Sequence, residues 1–198
     1  DVANIPKVGM LYNYYTIEDT RGLPIPKGWR IANPIDWKDL LTRSATSIVI
    51  SNNETTFTFY DAARLKSIGT TEWVSPNTSA ENLFYMNIRP NGTRSPNSGN
   101  FLQGIGSATN RAQIACSGAA PFLNTEIPNS VAFVRIDYGT NTATLNYFGQ
   151  LIDPSSFNQF GYAIRLVRDY QPNVIVSNSA SQAYEILPPP PPPIPTNF

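Results

Sequence analysis

The sequence predicts an α+β domain, and three observations carry that expectation. Two stretches in the first third show helix start signals. After Gly69 the pattern changes to short apolar runs broken by turn residues about every eight to twelve positions, the habit of a mostly antiparallel sheet. The chain has 198 residues and a mass of 21.8 kDa, enough to bury roughly 70% of its unfolded surface around one core without covalent staples.

Residues 1–8 read as a lead-in and 9–170 as the domain. The first helix is expected at Asn33-Pro34-Ile35-Asp36-Trp37-Lys38-Asp39-Leu40-Leu41. Asn33 is placed to cap it, Pro34 has its φ preset for the first helical position, and Asp36 sits at the positive end of the helix dipole. Trp37, Leu40 and Leu41 then share one face. The second is expected from Asp61 through Ala62, Ala63, Leu65 and Lys66 to Ile68, stopped by Gly69. Val131–Tyr138 reads as a strand, Gly139, Thr140 and Asn141 as its turn, and Thr142–Phe148 as the hairpin partner. Gly161–Arg168 reads as a closing, half-buried strand.

Residues 171–198 read as a partly ordered tail, with room for a short strand at Val174–Val176 and a polar patch at Ser177–Gln182. The unbroken proline run Pro188–Pro193 is expected to adopt polyproline II, a stiff spacer or a ligand for an aromatic groove.

Composition excludes much chemistry. With no His, the chain has no Ser-His-Asp or Cys-His nucleophile system, no His-ligated zinc and no imidazole switch. Fourteen Lys plus Arg balance fourteen Asp plus Glu without a basic stripe, so a nucleic-acid partner is not expected. The lone Cys116, in Ile114-Ala115-Cys116-Ser117-Gly118, reads as a small buried hydrophobe. No apolar run reaches the roughly 18 to 20 residues of a membrane span, so direct insertion is not expected. A first residue Asp1 suggests a processed or excised segment whose export signal would precede it.

Several blocks in fixed order point further. They are Gly9-Met10-Leu11-Tyr12-Asn13-Tyr14-Tyr15, Gly22-Leu23-Pro24, Pro26-Lys27-Gly28-Trp29-Arg30-Ile31, Asp36-Trp37, Leu40-Leu41 and Leu65-Lys66-Ser67 with Trp73. In the second half stand Asn82, Phe84, Arg89-Pro90-Asn91-Gly92-Thr93-Arg94, Gly99-Asn100-Phe101, Gly104-Ile105-Gly106 and the closing Gly161–Asp169. Together, from Gly9 to Asp169, they resemble the Fibrobacter succinogenes major paralogous domain family of Bacteroidota surface proteins and their phages. The resemblance implies a C-type-lectin-like fold: two short helices flanking a mostly antiparallel sheet, with long loops carrying the ligand surface. It also makes Trp29, Trp37 and Trp73 core residues. Where family members often carry Trp-Ser-Ser, this chain has Ile114-Ala115-Cys116-Ser117, and the disulfides of animal C-type lectins are absent.

Carboxylate pairs are the remaining route to hydrolysis, which needs two acids about 5 to 9 Å apart. Asp36 with Asp39, and Glu18 with Asp19, read as capping or solvated. The protein is therefore not expected to be an enzyme. Asp137 and Asp153 lie nearer the expected loop surface. Asp153, Ser155, Asn158 and Asn146 offer oxygens of the kind calcium takes, although nothing in their spacing fixes a site, and no other cofactor is expected. Gln171-Pro172-Asn173 resembles the lectin sugar tripeptide but follows the closing strand. Gly104-Ile105-Gly106 reads as a turn, and the sequons at Asn53, Asn77 and Asn91 as exposed loops.

The expected ligand-binding residues are Asn124, Asn146, Tyr147, Phe148, Phe157 and Asn158, a mix of rigid rings and adaptable amides. Tyr147 and Phe148 are successive in a strand, so one should face the core. The function expected is a non-enzymatic, extracellular recognition module that binds a glycan or a host or cell-surface protein through its loop face, displayed on a cell or on a phage fibre or spike. The alternative is a structural subunit of a virion, fibre or filament, a homo-oligomer or neighbour complex in which the proline tail is an assembly contact.

Overall fold

In the computed structural model, residues 9–19, 21–51, 55–118, 121–122, 125–126, 131–148 and 159–168 are described. The architecture among them is α+β. A four-residue helix, α1 (Tyr14–Ile17), precedes β1 (Trp29–Ile31), and α2 (Pro34–Ser44) leads into the hairpin β2 (Ser47–Ser51) and β3 (Thr56–Tyr60). After a long irregular stretch come β4 (Thr93–Arg94), β5 (Phe101–Leu102), β6 (Arg111–Ala115), β7 (Pro121–Phe122), β8 (Thr125–Glu126), β9 (Val131–Asp137), β10 (Thr142–Phe148), β11 (Ala163–Ile164) and β12 (Leu166–Arg168).

Six strands form the main sheet in the order β11-β6-β9-β10-β3-β2. Every pairing in it is antiparallel except β11 with β6. The β9–β10 hairpin is where the sequence places it, because seven residues of alternating pattern flank a Gly139-Thr140 turn. Ala143, Leu145 and Tyr147 of β10 face one side together with Val134 and Ile136 of β9 and Phe57 and Phe59 of β3. Trp37 and Leu41, one turn apart on α2, pack on that side with Leu65 and Trp73. A smaller cluster lies across the sheet, where the Phe133 and Tyr162 rings stack at 5.6 Å beside Ile17 and Ile31.

The start of α2 follows its sequence signals. Asn33 Oδ1 accepts from the Asp36 backbone N–H at 2.9 Å, and Asp36 Oδ2 accepts from the Asn33 N–H at 2.7 Å, a reciprocal capping box with Pro34 inside it. The Arg30 guanidinium grips the same carboxylate, with Nη2 at 2.9 Å from Oδ1, and holds its pKa below the usual range. Two expectations change. The second helix is only the 3-10 turn Ala62–Leu65: Asp61 is left-handed at φ 65 and Lys66 extended at ψ 148. Lys66 leaves the helical path to bridge Ile88. The closing segment is two strands, because the chain changes sheets at Arg165, with β11 on β6 and β12 on β1. Tyr162 is bonded in both directions to Tyr12 and closes the frame.

Trp37 and Trp73 are core residues; Trp29 is only half-buried and pairs with Arg168 across β1 and β12. Cys116 is fully buried, which pushes its thiol pKa up and leaves it a packing residue.

Candidate functional site

The stretch Glu81–Ile88 is sewn at both ends to the chain around Leu65. Glu81 and Asn82 donate their N–H groups to the carbonyls of Arg64 and Lys66, Ile88 donates to Leu65, and Ser67 donates to Ile88. Between these anchors the backbone is forced into the left-handed region at Asn82 (φ 53), Phe84 (φ 57), Tyr85 (φ 55) and Asn87 (φ 47). Asn tolerates that region; for a bulky aromatic it costs about 1 to 2 kcal/mol per residue. Asn82 stabilises the turn, its side-chain oxygen accepting from the Asn87 N–H at 2.6 Å. The result is a display: Phe84 is 52% exposed and Tyr85 90%. Strain held by surrounding contacts beside a concave surface is the arrangement from which function is inferred.

That surface is a groove of about 410 Å³. One wall is Tyr85 to Arg89 with Asn91; the other is Ile114 of β6 with Ala163, Ile164 and Arg165 at the sheet change. Arg165 reaches across, its Nη2 donating to the Met86 carbonyl at 3.1 Å. Arg89 is oriented by Glu72, 3.3 Å from its Nε. Asn91 is committed to the framework: its amide donates to the Gln113 carbonyl at 2.6 Å and accepts from the Gln113 N–H at 3.2 Å, copying a strand pairing. The groove therefore combines an apolar floor at Ile88, Ile114 and Ala163 with guanidinium, amide and phenol groups at its rim. None of its lining residues is a carboxylate.

Of the ligand-binding residues expected from sequence, Asn124, Phe157 and Asn158 lie outside the described residues, as do Asp153 and Ser155 of the calcium set and the Gln171-Pro172-Asn173 tripeptide. Phe148 ends β10, and its side chain is outside them too. Tyr147 is 5% exposed, edge-on to Phe57 at 6.1 Å between ring centroids, and so belongs to the core rather than to a ligand face. Asn146 stands on the other side of the sheet, half-buried, its Nδ2 donating to Thr144 Oγ1 at 2.7 Å. It does not meet the groove.

Of the acids considered from the sequence, Asp36, Asp137, Asp19 and Glu18 are held in framework contacts. Asp36 caps α2. Asp137 lies 3.0 Å from Arg111 Nε and 2.9 Å from Arg135 Nε. Asp19 pairs with Arg21, and Glu18 accepts from the Gly118 N–H at 2.7 Å. The sequons at Asn77 and Asn91 are not exposed loops: both side chains are buried and bonded to backbone carbonyls. Sequence reasoning passed over Tyr85 and Arg165. The signal available was Asn82-Leu83-Phe84-Tyr85-Met86-Asn87, two adjacent rings between amides able to take positive φ.

The family model of the Fibrobacter succinogenes major domain matches residues 2–114. The match takes in Tyr85–Asn91 and ends at Ile114, short of the β11 side of the groove. No curated relative and no solved structure matches the chain.

Proposed function

The chain belongs to the Fibrobacter succinogenes major domain family, and on that footing we propose that it is a non-enzymatic recognition module, displayed outside the cell on a bacterial or virion surface. Its loops bind an uncharged polar ligand, in the first place a glycan, and the frame is of C-type-lectin-like type. The observation that supports this most is Tyr85, 90% exposed on strained backbone at the mouth of a groove without carboxylates. An exposed phenol ring offers rigid amphipathic contact area at low entropic cost. The rim guanidinium and amide groups supply donors for hydroxyl or carbonyl oxygens.

Screening the full chain on a glycan array and on intact bacterial cells tests the reading. Binding should fall at least about tenfold in both Tyr85→Ala and Arg165→Ala. Retention unchanged in both variants excludes the groove as the ligand face. Binding to protein-coated but not glycan-coated surfaces would assign the same groove to a protein ligand.

A further inference from the structure

The far edge of the main sheet points to a different kind of contact. Strand β2 is the last in the order β11-β6-β9-β10-β3-β2, with β3 as its single partner among the described residues. Its Ile48 and Ile50 stand opposite Phe59 and Phe57, whose rings are fully buried, so both isoleucines continue the core face of the sheet. Yet they are 40% and 51% exposed, and Val49 on the reverse face is 48% exposed. Exposed strand edges are normally blunted by lysine, proline or an inward charge. Here no charged residue and no proline occurs from Ser44 through Asn53.

We propose that β2 is a self-docking edge, through which two copies of this chain join antiparallel about a two-fold axis at Val49. The strand Ser47-Ile48-Val49-Ile50-Ser51 reads the same in both directions. A two-fold antiparallel pair centred on Val49 sets residue 49 against its own copy, 48 against 50 and 47 against 51, and the palindrome makes each of these a like pair: Val with Val, Ile with Ile, Ser with Ser. Isologous interfaces require this self-complementarity, and β-branched cross-strand pairs are the stabilising unit of a sheet. The nearest charged residues in the sequence are Arg43 and Glu54, so the strand itself carries no charge that would oppose pairing with its own copy. Both edges are consumed in the pairing, so the assembly closes as a dimer with six strands from each copy in one continuous sheet.

The test is the mass of the full chain in solution against concentration, by light scattering or analytical ultracentrifugation. The wild type is expected to dimerise. Val49→Lys and Val49→Asp, which place like charges face to face on the axis, should each weaken the dimer at least about tenfold. An equimolar mixture of the two should restore it as a heterodimer, which a mere folding defect would not do. A wild type that stays monomeric at its solubility limit overturns the proposal, as do Val49 variants that dimerise normally or a mixture that stays monomeric. If instead the wild type is monomeric and Ile175→Lys makes it dimerise, the chain's own Val174–Val176 segment covers the edge, and the proposal is equally overturned.

Discussion

The Lys66 ammonium donates to the main-chain carbonyl of Asp137 at 3.0 Å, from a side chain with no exposed surface. It donates also to the carbonyls of Tyr138 and Thr140, at 3.1 and 3.3 Å, and lies 5.3 Å from the centre of the Trp73 ring. One side chain thus ties the 3-10 turn to the tip of the β9–β10 hairpin, although burial depresses its pKa to about 8. Removing it takes a charged donor from three carbonyls, of which that of Tyr138 still accepts from the Thr78 N–H at 2.8 Å, and an unsatisfied buried acceptor costs about 1 to 3 kcal/mol. Lys66→Met is expected to destabilise the fold by roughly 2 to 4 kcal/mol, read as a lower urea midpoint at unchanged m-value. A loss below about 1 kcal/mol would show that the turn is held by its neighbours instead.

Tyr85 should separate stability from function. Its ring is almost wholly exposed, so truncation sacrifices little packing, while glycine at φ 55 relieves the left-handed strain. Tyr85→Gly is expected to leave the thermal midpoint unchanged, or to raise stability by up to about 1 kcal/mol, and still to abolish ligand binding. A clear fall in the midpoint would mean that the ring supports its own loop.

Gly92 is fixed by geometry. It has φ 61, and a Cβ there would collide with the backbone of Leu102, Gln103 and Gly104. Gly92→Ala should lower stability by at least about 2 kcal/mol, whereas Gly106→Ala, at φ 87 but facing open space, should cost only about 1 kcal/mol for its backbone conformation. Equal losses at the two positions, compared by chemical denaturation, would contradict the close approach.

Asp36 sets an acid limit. The Arg30 hydrogen bonds, then the Asn33 N–H, favour its carboxylate and depress its pKa in the folded state. The unfolded chain therefore binds the proton more readily, and stability from this group is present above pH 4 and lost as pH falls through the folded-state value. The partly exposed pair is worth about 0.5 to 1 kcal/mol. Asp36→Asn should lower the midpoint at pH 7, and the gap to wild type should narrow progressively as pH falls below the ordinary carboxylate range. A gap that persists at low pH would assign the effect to helix capping alone.

The helix α2 and the β9–β10 hairpin were legible because their signals are local: a cap three residues from its partner, a proline at the first turn, a turn between two seven-residue runs. The β2–β3 hairpin carries an alternating pattern of the same kind in Thr56-Phe57-Thr58-Phe59-Tyr60, but it is short and lies between two stretches with helix signals. The Lys66 path was not legible, since nothing in Leu65-Lys66-Ser67 announces that its amine finds carbonyls more than seventy residues ahead. Nor was the groove, one wall of which comes from residues near 85 and the other from Ile114 and Ala163–Arg165. Tyr147 shows the limit of local reading: alternation requires that one of two adjacent rings face inward, and only the packing of Phe57 tells which.

The frame is closed by Tyr12 against Tyr162 and by the parallel pairing of Ala163 with Ile114. Parallel pairing and a bond between residues 150 positions apart give no reward until nearly the whole domain has left the ribosome. High contact order of this kind slows folding toward the range of milliseconds to seconds. The early half of the domain, with β2 already paired to β3, thus waits for the last strands that pair with β6 and β1. In that interval the unclosed domain exposes apolar surface, and association of nascent chains competes with folding.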